Sequence, residues 1–184
     1  MKVQDLIQEL EEKPEYKIFK KQNPDTFFAA AFLILDLENK TEQIQLDYYL
    51  PKQKAIAAFC YPFAEPKIHS DIISVKEGQT TPAKIEQMKT QTTKIKIDID
   101  DLAPKCKELI KENNLLQYSA IRGTPSGANI NPTKIIAILK DDIWNLTCMD
   151  NLLGIVRIKL NAISEELLDF NKGGLMDFMG IKKK

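Results

Sequence analysis

The only histidine of the chain, His69, stands two residues before Asp71, with Cys60 upstream and Cys106 and Cys148 downstream. Imidazole, carboxylate and thiol are the materials of acid–base and nucleophilic catalysis, but a Cys–His pair works only if the fold brings the two together. His69 lies between Pro66 and Pro82 in a stretch expected to be exposed, so no catalytic residue is assigned. One histidine and three dispersed cysteines match no zinc-ligand spacing. The acidic string Asp98, Asp100 and Asp101 lacks the glycine and distal glutamate of a calcium loop. A helix cap and a solvated face account for those acids, and neither a metal nor another cofactor is expected.

Two segments remain as binding candidates. The loop Ile121 to Gly127 holds Arg122, Gly123, Thr124, Ser126 and Gly127, which suit a backbone nest for an anion. It matches neither the phosphate-binding loop nor the dinucleotide fingerprint, so a turn between helix and sheet is its simpler use. The last twelve residues begin with Gly173-Gly174, continue through Leu175, Met176, Phe178, Met179 and Ile181, and end in three lysines. A glycine hinge, an apolar run and a basic cap suit docking in a partner's groove or on the chain's own domain. Each lysine near an anionic surface contributes only about 1 kcal/mol, so stable membrane anchoring is not expected.

Composition narrows the classes further. The 184 residues carry 26 basic and 26 acidic side chains, for zero net charge, and 24 of the basic ones are lysine; Arg122 and Arg157 are the only arginines. That argues against nucleic-acid binding, and against stacking as the use of Tyr48, Tyr49, Phe59, Tyr61 and Phe63. With 43% hydrophobic residues the chain has enough apolar surface for a core. The cysteines are odd in number and each lies in an apolar setting, as for free thiols in a reducing compartment. No signal segment or membrane helix is visible, which makes a cytoplasmic protein the expectation.

The elements that would position these groups follow from periodicity. Val3, Leu6, Ile7 and Leu10 mark one face of a helix, which Pro14 ends or kinks before a second helical stretch to Lys21. Phe27 to Leu37 reads as a buried strand, Ile44, Leu46 and Tyr48 as a half-buried one, and Lys54 to Phe63 as a third. Proline, glycine and a Gln/Thr/Lys-rich composition mark 67–94 as a linker, with short strands at Ile72 to Val75 and Ile95 to Ile99. A helix follows from Asp101 to Glu112, closed near Asn113-Asn114. Three more strands are marked by Ile136 and Ile138, by Trp144, Leu146 and Cys148, and by Val156, Ile158, Leu160 and Ala162. The expected fold class is α+β, two helix-plus-antiparallel-meander halves (αβββ twice). Its division is 1–66, a linker at 67–94, 95–172 and a tail at 173–184.

The second half resembles the PepSY-like family. The likeness rests on the helix Asp101 to Glu112, on the strand Ile143 to Cys148 with Trp144, and on Val156 to Ala162 running into a turn. The family closes that turn with Asp-Ala-x-Thr-Gly-Glu. Here Ala162 and Glu165 or Glu166 are kept, Asn161 replaces the Asp, and Ile163-Ser164 stand for the Thr-Gly. The resemblance implies cystatin-like curved sheets and a non-catalytic protein- or peptide-interaction module, inhibitor-like in some members. The alternative is a small-ligand-binding protein or enzyme that uses the concave face of a cone-like sheet. A homo-oligomer pairing sheet edges or faces is a third reading.

Overall fold

The computed structural model describes residues 1–76, 79–85, 87–120, 131–151 and 154–174. Two helices open the chain, α1 (Val3–Glu12) and α2 (Pro14–Gln22), followed by β1 (Phe27–Asp36), β2 (Thr41–Leu50), β3 (Ala55–Cys60) and β4 (Lys67–His69). Next come β5 (Asp71–Lys76) and β6 (Gln79–Lys84), then α3 (Ile99–Ala120). The last strands are β7 (Lys134–Lys140), β8 (Ile143–Met149), β9 (Gly154–Asn161) and β10 (Leu167–Gly174). Eight strands form one antiparallel sheet in the order β10-β9-β8-β7-β1-β2-β3-β4, and β5 and β6 pair as a separate hairpin.

This single sheet overturns the expected two helix-plus-meander halves. The two meanders are joined through β1 and β7, which pair from Ala30↔Lys140 to Asp36↔Lys134. Between their charged ends, Asp36 on β1 and Lys134 and Lys140 on β7, both strands are apolar on both faces, which suits a place with a neighbour on either side. The other differences are local. The second helical stretch is present as α2, while the N-terminal half gains a fourth strand and so does the second half. Residues 95–98 are not a strand. Helix α3 runs past Asn113, whose side-chain amide donates to the Leu109 carbonyl four residues back at 2.9 Å, so Asn113 does not end the helix.

Helix α1 presents Val3, Leu6, Ile7 and Leu10 to the core, as its spacing predicts, and α2 adds Tyr16 and Phe19. All three helices pack on one face of the sheet. Leu33, Leu35, Leu46, Phe59, Ile135, Leu139, Trp144 and Ile158 meet them there, together with Leu102 and Cys106 of α3. The buried Trp144 donates its indole N–H to the Ile97 carbonyl at 2.8 Å, which fixes the approach to α3. Asp98 ties the helix ends together: its Oδ1 accepts from Val3 N and Ile99 N, both at 2.8 Å, while Asp101 accepts from Asp98 N at 2.9 Å. Asp98 thus caps α3, with the Asp101 carboxylate three residues on accepting from its backbone N–H and the Asp101 N–H donating to its carbonyl at 3.0 Å. Of the acidic string, it is Asp98 that stands at the cap, one residue before the helix begins.

The chain crosses from one side of the sheet to the other between β6 and α3. Ile85 is buried with Ala29 and Tyr49 on the face away from the helices, with Phe27, Ile56 and Met88 around them. Gln91 is buried, and its backbone N–H donates to the Phe28 carbonyl at 2.9 Å. Its side chain clasps the β7–β8 turn, donating to Asp142 Oδ1 at 2.8 Å and accepting from Asp142 N at 3.0 Å. Lys96 N and Ile97 N then both donate to the Ala162 carbonyl, at 2.8 and 3.1 Å. Replacing Asp98 by alanine leaves two amide donors without their acceptor and is expected to cost about 2 kcal/mol in chemical denaturation. Asp98→Asn keeps an oxygen acceptor and is expected to lose less.

Candidate functional site

The residues with catalytic chemistry are not brought together. His69 is exposed on β4 opposite Ile56, whereas Cys60 lies four residues further along β3, a separation of roughly 13 Å at strand rise. Cys106 and Cys148 are both fully buried on the helix-covered side. The hydrogen bond between these two thiols and their burial push Cys106 well above the ordinary thiol value, the condition of an unreactive, protonated sulfur. No group of three His, Cys, Asp or Glu that could hold a metal ion occurs among the described residues. The binding candidates Arg122, Gly123, Thr124, Ser126 and Gly127, and Leu175, Met176, Phe178 and Met179, lie outside the described residues. Gly173 and Gly174, read as a hinge, are the last two residues of β10 and pair with Ile155 and Gly154.

Concavities offer little. A hollow of about 120 Å³ between residues 22–26 and 50–53 is below the size of ordinary ligand pockets, and the Lys52–Asp25 ion pair at 2.6 Å lies along it. An open depression of about 460 Å³ beside the start of α3 is lined by Lys96, Asp101, Lys105, Glu108 and Glu165 among others. Its charges already pair with one another, Lys105 with Glu108 at 2.8 Å and Lys96 with Glu165 at 3.8 Å.

The sheet's other face is different in kind. On β1, Phe32 and Ile34 point away from the helices, and their partners across the central pairing are Ile138 and Ile136. Phe32, Ile34 and Ile136 are half-buried, and Ile138 is 39% exposed. Uncharged hydrogen-bonding side chains flank this quartet by register: Gln45 opposite Phe32, Gln43 opposite Ile34, Asn145 opposite Ile138 and Thr147 opposite Ile136. One end is closed by Asp36 and Lys134, 3.9 Å apart. The other end is covered by the cluster around Ile85. The sequence reading used Ile136 and Ile138 as markers of β7 without assigning their side. The structure buries Ile135, Ala137 and Leu139 instead and turns the two isoleucines outward.

Polar groups near this surface are tuned by their surroundings. Burial raises the Asp47 carboxyl above its ordinary value, opposed by the Gln45 amide, which donates to Asp47 Oδ1 at 2.8 Å, and by the charge of His69. Asp36 is held below its ordinary value by the Asn39 backbone and side-chain N–H groups, at 2.9 and 3.0 Å. On the helix side, the Tyr48 hydroxyl is buried with no hydrogen-bond partner among the described residues, and burial beside the Tyr16 phenol pushes it upward.

Comparison of the chain with family models, with curated proteins and with solved structures returns no match. No helix among the described residues is long and apolar enough to cross a membrane. The fold and surface define an open-faced antiparallel sheet backed on one side by helices.

Two substitutions test these environments. Because the folded-state value of Asp47 is raised, its contribution to stability is fullest below the unfolded value and is lost as pH rises through the folded one. Asp47→Asn is therefore expected to melt higher than the parent near neutrality, with the gap closing on acidification; a gap that widens in acid contradicts the assignment. Tyr48→Phe removes a hydroxyl that is buried without a partner and is expected to leave stability unchanged or raise it by up to about 1 kcal/mol in denaturant titrations.

Proposed function

We propose that the chain is a non-catalytic protein- or peptide-interaction module whose working surface is the open face of its sheet. The observation that carries this reading is the apolar quartet Phe32, Ile34, Ile136 and Ile138, which no described element covers although it lies at the centre of the sheet. An apolar centre with a hydrogen-bonding rim is the anatomy of a protein interface. The separated histidine and thiols also favour binding over catalysis. The PepSY resemblance agrees in kind, and an inhibitor-like role would be one form of such binding.

The alternative, a small-ligand protein or enzyme, calls for an open cavity on one side of the sheet. The helix-covered side is filled by Leu33, Leu46, Leu102, Trp144 and Leu160, each 0% exposed, which lends that reading less support. The apolar tail and the loop at 121–127 are proposed as accessory contacts.

Peptides selected from a displayed library on the immobilised chain are expected to bind at least about tenfold more weakly to Ile138→Lys and to Phe32→Lys, a loss of about 1.4 kcal/mol. Undiminished binding to both would move the site off the open face. A comparable loss only on removal of residues 175–184 would assign the contact to the tail instead.

A further inference from the structure

We infer that the chain's own residues 175–184 occupy the open face when no partner is bound, so that a partner takes the face by displacing them; the inference rests on the open face being the interaction surface proposed above. Registry fixes where that segment departs. Gly173 pairs with Ile155, Ile155 with Met149, Met149 with Lys134 and Lys134 with Asp36, so β10 ends level with the Asp36–Lys134 pair. This is the end of the face away from the cluster around Ile85. Strands β7 and β1 lie three and four strands from β10. With strands about 4.8 Å apart and about 3.4 Å per residue, the centre of the quartet is about 20 Å from Gly173. Extended chain covers that distance in about six residues, which brings Phe178 and Met179 to the quartet.

The order of side chains along the segment matches the order of groups across the face. Five of the seven residues from Leu175 to Ile181 are large and apolar, Asp177 is the one acid, and three lysines come last. Along the path from Gly173, Asp177 falls before the quartet. On that side β7 and β9 present the exposed Lys134, Lys140, Arg157 and Lys159, against Asp36 on β1 and Asp169 on β10. The three lysines fall beyond the quartet, over β2. There the face carries the uncharged Gln43 and Gln45 and the Asp47 carboxylate, with Lys67 and Lys140 each two strands from Asp47. An occupant laid the opposite way would set its lysines among the four cations. Tethering favours this occupant further, because a segment whose length matches the span meets its site at an effective concentration on the order of millimolar. A second copy of the chain, or a separate peptide, has to compete against that concentration.

The test is photo-cross-linking of the full-length protein carrying Phe178→benzoylphenylalanine, with the products mapped by mass spectrometry. Links within one chain to β1 near Phe32 and Ile34, or to β7 near Ile136 and Ile138, are expected in a yield independent of protein concentration. Phe178→Ser/Met179→Ser, outside every described helix and strand, should tighten binding of the selected peptides at least about tenfold, since the vacant face is then no longer a minor fraction. Asp177→Lys should tighten it less, and only at low ionic strength. Links confined to the helix-covered side, or a peptide affinity indifferent to the Phe178 and Met179 changes, overturn the inference; the open-face reading then stands if Ile138→Lys still weakens the peptides. Links that form only between chains, in proportion to concentration, give the face to a second copy and overturn the inference as well. Peptides that lose affinity in the Phe178→Ser/Met179→Ser variant use the tail as their contact, which also overturns it. Peptides that bind parent and tail variant alike, without regard to Ile138 or Phe32, overturn the interaction reading itself.

Discussion

The antiparallel pairing of β1 with β7 is the constraint on which the remaining structure depends. Seven residue pairs link strands about a hundred positions apart in the chain, from Ala30↔Lys140 to Asp36↔Lys134. Forming them closes a long loop at an entropic cost that no local contact offsets. The return is that two strands with apolar side chains on both faces lose their free edges, and that the helices of both halves share one core. Leu33 and Leu35 lie beside Ala137 and Ile135 under those helices. The same registry sets Phe32 and Ile34 beside Ile138 and Ile136 on the opposite side. The core and the open patch are thus two consequences of one pairing.

A sheet fused in this way needs its connector to pass from one face to the other, and the buried polar groups lie along that passage. Gln91, Asp98 and the Ile97 carbonyl are held by partners distant in sequence: Asp142, Val3 and Trp144 respectively. A buried polar group costs free energy unless it is bonded, so these contacts specify the path of the chain more than they add to its stability. Ile85 seals the start of the passage against Tyr49 and Ala29, leaving the centre of the sheet's open side uncovered by any described element.

How much of this the sequence revealed depended on the range of the interaction. Helix α1 follows directly from Val3, Leu6, Ile7 and Leu10, and β8 from Trp144, Leu146 and Cys148, because those patterns depend on local geometry and one buried face. The β1–β7 pairing carries no local signature, so two helix-plus-meander halves satisfied the periodicity equally well. Strand β10 was missed because the bulge between Leu167 and Asp169 breaks its alternation. The side to which β7 turns was legible yet unread: Lys134 and Lys140 share the parity of Ile136 and Ile138, and a strand with lysines at both ends of one face seldom buries that face. The candidate surface itself became visible only once the partner strands were known, since its four central residues come from two separate stretches of chain.

The distribution of reactive groups follows from the same architecture. In an antiparallel sheet a residue's side is fixed by parity, so Cys148 accompanies Trp144 and Leu146 into the core, where α3 brings Cys106 against it. Cys60, two residues past Ala58, takes the outward parity and is exposed at the end of β3. His69 lies on the same side as Ile56, but the short pairing of β4 stops well before Cys60. Bringing the imidazole to the thiol would require β4 to slide by four residues, which would unmake all three of its pairings with β3. The sheet therefore holds its potential nucleophile and base apart by the same registry that gathers its exposed isoleucines, and the surface it builds is suited to recognition.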